Sequence, residues 1–264
     1  MSSTGPALIR STETPAITPE EWALRVQLAA CYRLVARFRM TDLIFTHISA
    51  RLPGPEHRFL LNPYGLMFEE ITASNLVVVD LEGQMLSANG HSVNPAGFVI
   101  HSAIHGARED AQCVLHTHTR AGVAVSTLRC GLLPLNQFAL QFYNRIAYHD
   151  YEGIALDLDE RARLVADLGD KQVMILRNHG LLTVGRSIPE AFVLMFYLER
   201  SCEVQIAAQS TGTELILPSP EVCARTERQY NSSGVDDPGD EEGWALTWSA
   251  LLRMLDREDP SYKE

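Results

Sequence analysis

The chain has 264 residues, 46% of them hydrophobic and 21% charged, with a formal charge of −11 at pH 7. That length can bury a core without staples, and the composition is that of an ordinary globular protein. The acidic balance argues against nucleic acid or an anionic membrane as the main partner. No apolar stretch approaches a membrane span, and the first residues lack a basic region followed by an apolar run. A cytoplasmic protein without a secretory signal is therefore expected. Five cysteines without a CxxC pair point to neither a disulfide framework nor a cysteine zinc site.

Residues 1–17, rich in Ser, Thr and Pro, read as a mobile N-terminal arm. Thr18 as N-cap, Pro19 at the first helical position and Glu21 in a capping box open a helix that runs to about Arg39. Short strands follow at 44–52 and 57–62, around Pro53-Gly54-Pro55, and at 76–80, with 84–86 placed to pair back. Residues 95–108 read as a helix and 111–118 as a buried strand ending in polar residues. A helix over 119–128 comes next. Residues 131–150 are aromatic-rich and ambiguous in period. Asp157 or Asp159 can cap a helix through Leu168. Apolar runs at 172–177 and 181–185 bracket Asn178-His179-Gly180, which predicts a tight hairpin. Ser187-Ile188-Pro189-Glu190 is a second capping box, opening a helix over about 189–210. Residues 216–264 form a C-terminal extension with an acidic loop at 231–243 and one helix over about 244–255. Helices and strands interleave through residues 18–215, which predicts one α/β domain around a mixed sheet.

All nine histidines lie between His47 and His179. His116 and His118 are two apart on a predicted strand and so share a face. They sit at its C-terminal end, where α/β sheets place their ligand sites. Such a pair can share a metal ion, or be two solvent-facing polar residues. His179, in a turn after another apolar strand, becomes a third ligand if that strand neighbours 111–116. Three neutral imidazoles leave coordination positions open, a catalytic pattern. His101 and His105 are i, i+4 on one helix face, either as hydrogen-bonded structural histidines or in an acid/base role. His47 and His91 read as local hydrogen-bond partners.

Four segments carry a family resemblance: FTHISAR (45–51), LNPYGLMFEEITASNLVVVD (61–80), HSAIHGAREDAQCVLHTHT (101–119) and RNHG (177–180). In order and spacing the chain resembles the class II aldolase/adducin-head superfamily over about residues 20–215. The resemblance implies a three-layer α/β/α sandwich around a mixed central sheet. It also implies a homotetramer with active sites at subunit interfaces, and one divalent metal ion per chain: zinc, manganese or iron. By its motifs His116, His118 and His179 are the metal ligands. Ser49, Asn62 and Gly65, on the matching segments, and Arg120, next to His-Thr-His-Thr, are candidates for contact with a small-molecule substrate.

One part of the pattern is broken. Sugar-phosphate aldolases of this family carry Ser-Ser-Glu four residues before the helix histidine, and the Glu serves as acid/base. Counted back from His101, this chain has Pro95-Ala96-Gly97. The Gly-Asn of the phosphate site is replaced by Thr46-His47. The resemblance then implies a metal-dependent C–C lyase, a decarboxylase or aldolase-like enzyme. It would act on a non-phosphorylated, aromatic or related oxo- or hydroxy-acid, with the metal stabilising enolate-like charge. His101, His105, Tyr143 and Tyr148 are the candidate proton donors. One alternative is a non-heme iron oxygenase that oxidatively decarboxylates an aromatic 2-oxo acid. Another is a non-catalytic, adducin-like interaction protein.

Overall fold

The computed structural model describes residues 17–87, 90–153, 160–231 and 239–264. The expected N-terminal arm up to residue 16, the caps at Asp157 and Asp159, and residues 232–238 of the acidic loop lie outside that set. Seven strands are described: β1 (His47–Arg51), β2 (Phe59–Leu61), β3 (Val77–Val79), β4 (Cys113–Thr117), β5 (Ile146–His149), β6 (Val173–Leu176) and β7 (Gly180–Gly185). The helices are α1 (Pro19–Arg37), α2 (Pro95–Ala107), α3 (Arg120–Ser126), α4 (Gln137–Leu140), α5 (Glu160–Leu168), α6 (Ile188–Gln209), α7 (Pro220–Asn231) and α8 (Gly239–Glu258).

The strands form one sheet in the order β3-β2-β1-β4-β7-β6-β5. Only β5 and β6 pair in parallel; every other pair is antiparallel. The sheet is therefore mixed. Strand alternation divides its side chains between two helical layers. Ile48, Ala50, Cys113, Leu115 and Ile175 face α1 and α6 in the larger core. Val114, Met174, Leu182 and Val184 pack with Ile100 and Ile104 of α2 and Leu164 and Leu168 of α5. By the same alternation His47, Ser49 and His116 sit on the α2 side.

Local signals set several element ends. Thr18 Oγ1 accepts the Glu21 N–H at 3.2 Å, and Ser187 Oγ accepts the Glu190 N–H at 3.3 Å. The reciprocal half of each expected capping box is absent. The Glu21 carboxylate instead takes Arg25 Nε at 2.8 Å, and the Glu190 carboxylate takes the Arg186 backbone and guanidinium. A nearby arginine offers each carboxylate a charged donor, a stronger partner than a peptide N–H.

Three expectations change in detail. Residues 84–86 make a single bridge, Val79 to Met85, not a strand. The ambiguous 131–150 stretch resolves into α4 and β5. The extension holds two helices, not one, and a 3₁₀ turn at Pro260–Lys263. The first of them, α7, is polar overall and buries only Cys223, so few apolar positions mark it. No helix among the described residues is long and apolar enough to cross a membrane.

Candidate metal centre

His116 lies near the end of β4, and β4 pairs antiparallel with β7 so that His116 faces Leu182 and Thr117 faces Leu181. The hairpin between β6 and β7 carries His179 in its turn, closed by His179 N–H to the Leu176 carbonyl at 3.1 Å. Asn178 takes the left-handed conformation there, φ 56°, which asparagine tolerates better than most residues. The fold thus brings the turn of one hairpin against the end of the neighbouring strand. His116, His118 and His179 each present a ring nitrogen within 4.8 Å of the others. Their ring centroids are 4.6 to 4.8 Å apart.

The outward nitrogens of two rings are anchored. His116 Nδ1 lies 2.8 Å from the Leu181 carbonyl. A carbonyl only accepts, so Nδ1 carries the proton and Nε2 keeps its lone pair. His118 Nδ1 lies 2.9 Å from the Asp42 carboxylate, which acts in the same way. The two Nε2 atoms stand 2.8 Å apart, and with both rings in the neutral, ligating form their lone pairs face each other. Two such lone pairs repel, and a cation between them removes the conflict. At zinc–nitrogen distances of about 2.0–2.1 Å, tetrahedral ligands stand about 3.3 Å apart, so the rings need to open only slightly. Burial, followed by the neighbouring histidines, holds His116 well below the usual imidazole range and His179 down to about 4. Neutral imidazole is the ligating form. The donor set fits a divalent ion of the zinc, manganese or iron kind, with open positions.

Two further features shape the centre. Gly180 has no room for a side chain: a Cβ there would strike the Thr117 carbonyl and come within 3.2 Å of the His118 ring and 3.3 Å of the His116 ring. Asp42 is held by a short turn, closed by Phe45 N–H to the Asp42 carbonyl at 2.8 Å. Leu43 and Thr46 in that turn are both left-handed, φ 50° and 67°.

The remaining candidates do not share one place. His101 and His105 are fully buried and join Ser49 and His47 in one hydrogen-bonded chain beside the triad. Tyr143 and Tyr148 line a cavity of about 340 Å³ with Leu132, Phe142 and Lys171, and none of the three clustered histidines lines it. The Tyr148 hydroxyl accepts the Leu132 N–H at 3.1 Å, and its ring lies under Arg177. Asn62 Oδ1 accepts from the buried Tyr32 hydroxyl at 2.9 Å, Gly65 sits in an open left-handed turn, and Arg120 is the exposed first residue of α3. Asp42 was missed because it lies 76 residues from its partner and belongs to no motif. His47 was undervalued, although its period-2 relation to Ser49 places both on one face.

A mixed α/β/α sandwich with three convergent imidazoles at a strand end defines the class II aldolase-like fold. The model of the family "Class II Aldolase and Adducin N-terminal domain" matches residues 26–206, and the chain belongs to that family. A solved aldolase II superfamily protein from Pseudomonas syringae is 55% identical, with a TM-score of 0.87, over 94% of this chain and 98% of that one. An L-fuculose 1-phosphate aldolase from Glaciozyma antarctica is 29% identical, with a TM-score of 0.79, over 98% and 97%. Alpha-adducin of Rattus norvegicus is 40% identical over 94% of this chain but only 35% of its own length.

Proposed function

We propose that the chain is a divalent-metal-dependent C–C lyase acting on a non-phosphorylated, aromatic or related oxo- or hydroxy-acid, as a decarboxylase or aldolase-like enzyme. The observation that carries this reading is the convergence of three ring nitrogens within 4.8 Å, with two Nε2 atoms 2.8 Å apart and a carbonyl or carboxylate behind each of those two rings. Two neutral rings in that arrangement gain nothing from each other and a cation satisfies both. A bound divalent ion supplies Lewis-acid stabilisation of the negative charge that develops as a C–C bond breaks. His116, His118 and His179 hold it; Asp42 and the Leu181 carbonyl orient two of those rings. Arg120, the exposed first residue of α3 two residues beyond His118, is the candidate partner for a substrate carboxylate. The exposed Leu43 and Phe45 beside Asp42 suit cover by a neighbouring subunit, in keeping with a homotetramer.

Gly97 supports a reaction other than sugar-phosphate cleavage. A Cβ at that position would fall on the His47 ring, so His47 fills the space that a longer side chain would need. The test is a panel of aliphatic and aromatic 2-oxo and 2-hydroxy acids, assayed for CO₂ and carbonyl product with an oxygen electrode in parallel. Metal-dependent release without O₂ uptake, lost in His116→Ala, is the expected result. Substrate-dependent O₂ uptake would replace the lyase with an oxygenase, and efficient cleavage of a sugar phosphate would overturn the non-phosphorylated substrate class.

The 40% identity to alpha-adducin across nearly the whole chain favours a second reading, a non-catalytic interaction module. Turnover of any acid in the panel with bound metal decides against it.

A further inference from the structure

Beside the three histidines runs a chain of four other buried side chains. His47 Nδ1 lies 2.8 Å from His101 Nε2. His101 Nδ1 lies 2.5 Å from Ser49 Oγ, which lies 2.7 Å from His105 Nε2. His105 Nδ1 lies 3.0 Å from the Ala111 carbonyl. None of the four side chains is more than 5% exposed, and burial favours the neutral form of each ring. A neutral imidazole has one donor and one acceptor nitrogen.

These contacts have one consistent direction. The Ala111 carbonyl can only accept, so His105 Nδ1 carries the proton. His105 Nε2 then accepts, and Ser49 must donate to it. Ser49 has a single proton, so it accepts from His101 Nδ1–H. His101 Nε2 is left as an acceptor, and His47 Nδ1–H must fill it. His47 Nε2 therefore carries a lone pair and no proton. Among the described residues it makes no hydrogen bond.

That atom stands next to the metal centre. His47 is the cross-strand partner of His116, and the two rings are 5.4 Å apart with their planes at 33°. Nε2 lies on the ring edge toward Gly97, whose missing Cβ would come within 2.6 Å of it. We propose that His47 Nε2 is a fixed hydrogen-bond acceptor for a substrate hydroxyl, which makes the site select 2-hydroxy acids over acids whose oxygen is alkylated. The inference rests on the metal-centre reading above. A hydroxyl donates to the bare nitrogen; an ether cannot, and leaves a buried acceptor without a partner. While the ring is neutral, that nitrogen cannot become a donor without breaking the His47–His101 bond behind it.

Two measurements test this. In metal-free protein labelled with ¹⁵N-histidine, NMR should report Nδ1–H tautomers for His47, His101 and His105; a proton on His47 Nε2 overturns the proposal whether or not metal binds. In the cobalt(II)-loaded full chain, the visible spectrum is titrated with lactate and with 2-methoxypropionate. Lactate should bind more tightly on the order of tenfold. His47→Leu should keep its cobalt and lose that preference, and His47→Gln, which restores a carbonyl acceptor, should recover part of it. Equal affinities in the wild type, or an unchanged ratio in His47→Leu with cobalt retained, overturn the proposal and leave the metal centre standing. Failure of the wild type to bind cobalt overturns the metal reading and this inference with it.

Discussion

His118 shows how much of this centre depends on groups behind the ligands. Its Nδ1 is held by Asp42, so Asp42→Ala frees the ring and removes the acceptor that fixes its tautomer. Metal affinity should fall by roughly 10- to 100-fold, read by competition with a chelator, with the fold intact. Gly180→Ala acts by space alone. Its Cβ meets a backbone carbonyl that cannot swing away, so a loss of about 1–3 kcal/mol is expected in urea unfolding, with metal affinity reduced. Burial also gives the histidines a pH signature. His105 is pushed down to about 3 in the folded chain by burial first and the Arg51 charge second, against about 6.5 when unfolded. Between those values the unfolded chain binds the extra proton. Stability should therefore fall as pH drops through the window, by about 1.4 kcal/mol per unit for each such ring. A metal-free urea midpoint that does not move between pH 7 and pH 5 would contradict neutral, buried imidazoles. The clustering of His116, His118 and His179 was expected from His-x-His and Asn-His-Gly through the family resemblance. Asp42 was not, because a carboxylate 76 residues away reaches His118 only through the fold.

At the scale of elements, the centre is a meeting of β4 with the β6–β7 hairpin, and β1 with the first turn of α2. The hairpin was readable because two apolar runs bracket a residue suited to positive φ, and Asn178 takes that conformation. The N-caps at Thr18 and Ser187 were readable for the same kind of local reason. What escaped had two causes. The Glu21 and Glu190 carboxylates turn to arginines four residues away, a local competitor of the capping box, and β5 forms by long-range parallel pairing with β6 inside a stretch without clear period. The contact between Gly97 and His47 also joins two elements and could not be read from either alone. Gly97→Ala should cost about 1–3 kcal/mol and displace the His47 ring. The displaced ring should show as a changed ¹⁵N shift for His47; wild-type stability with an unchanged spectrum would contradict the packing described here.

Across the whole molecule, the C-terminal segment is part of the main core. Trp248, Leu255 and Tyr262 are buried in the cluster built on α1 and α6. Tyr262 donates its hydroxyl to Asp256 at 2.7 Å, and its carbonyl accepts the Ala73 N–H at 3.0 Å. Arg33 reaches Asp259 and Arg37 pairs with Glu258, tying the same segment to α1. Those exposed ion pairs add little; the buried ring is the main contribution. Tyr262→Ala should destabilise by about 3–5 kcal/mol, while the folded fraction keeps its metal, since the residue lies in the layer opposite the histidines. The sandwich and its mixed sheet were legible from interleaved elements and motif order. The apolar stripe of α8, Trp244, Trp248, Leu251, Leu252 and Leu255, marks a helix in the sequence, but which face of the sandwich it covers is set by contacts with α1 and α6 that no local pattern shows.

The most direct test of the central claim is elemental analysis of the purified chain beside His116→Ala and His118→Ala. The account predicts close to one divalent metal per chain in the wild type, and loss of it in both variants with the far-UV spectrum unchanged. A folded wild-type chain that takes up no metal, or variants that keep a full equivalent, would contradict it.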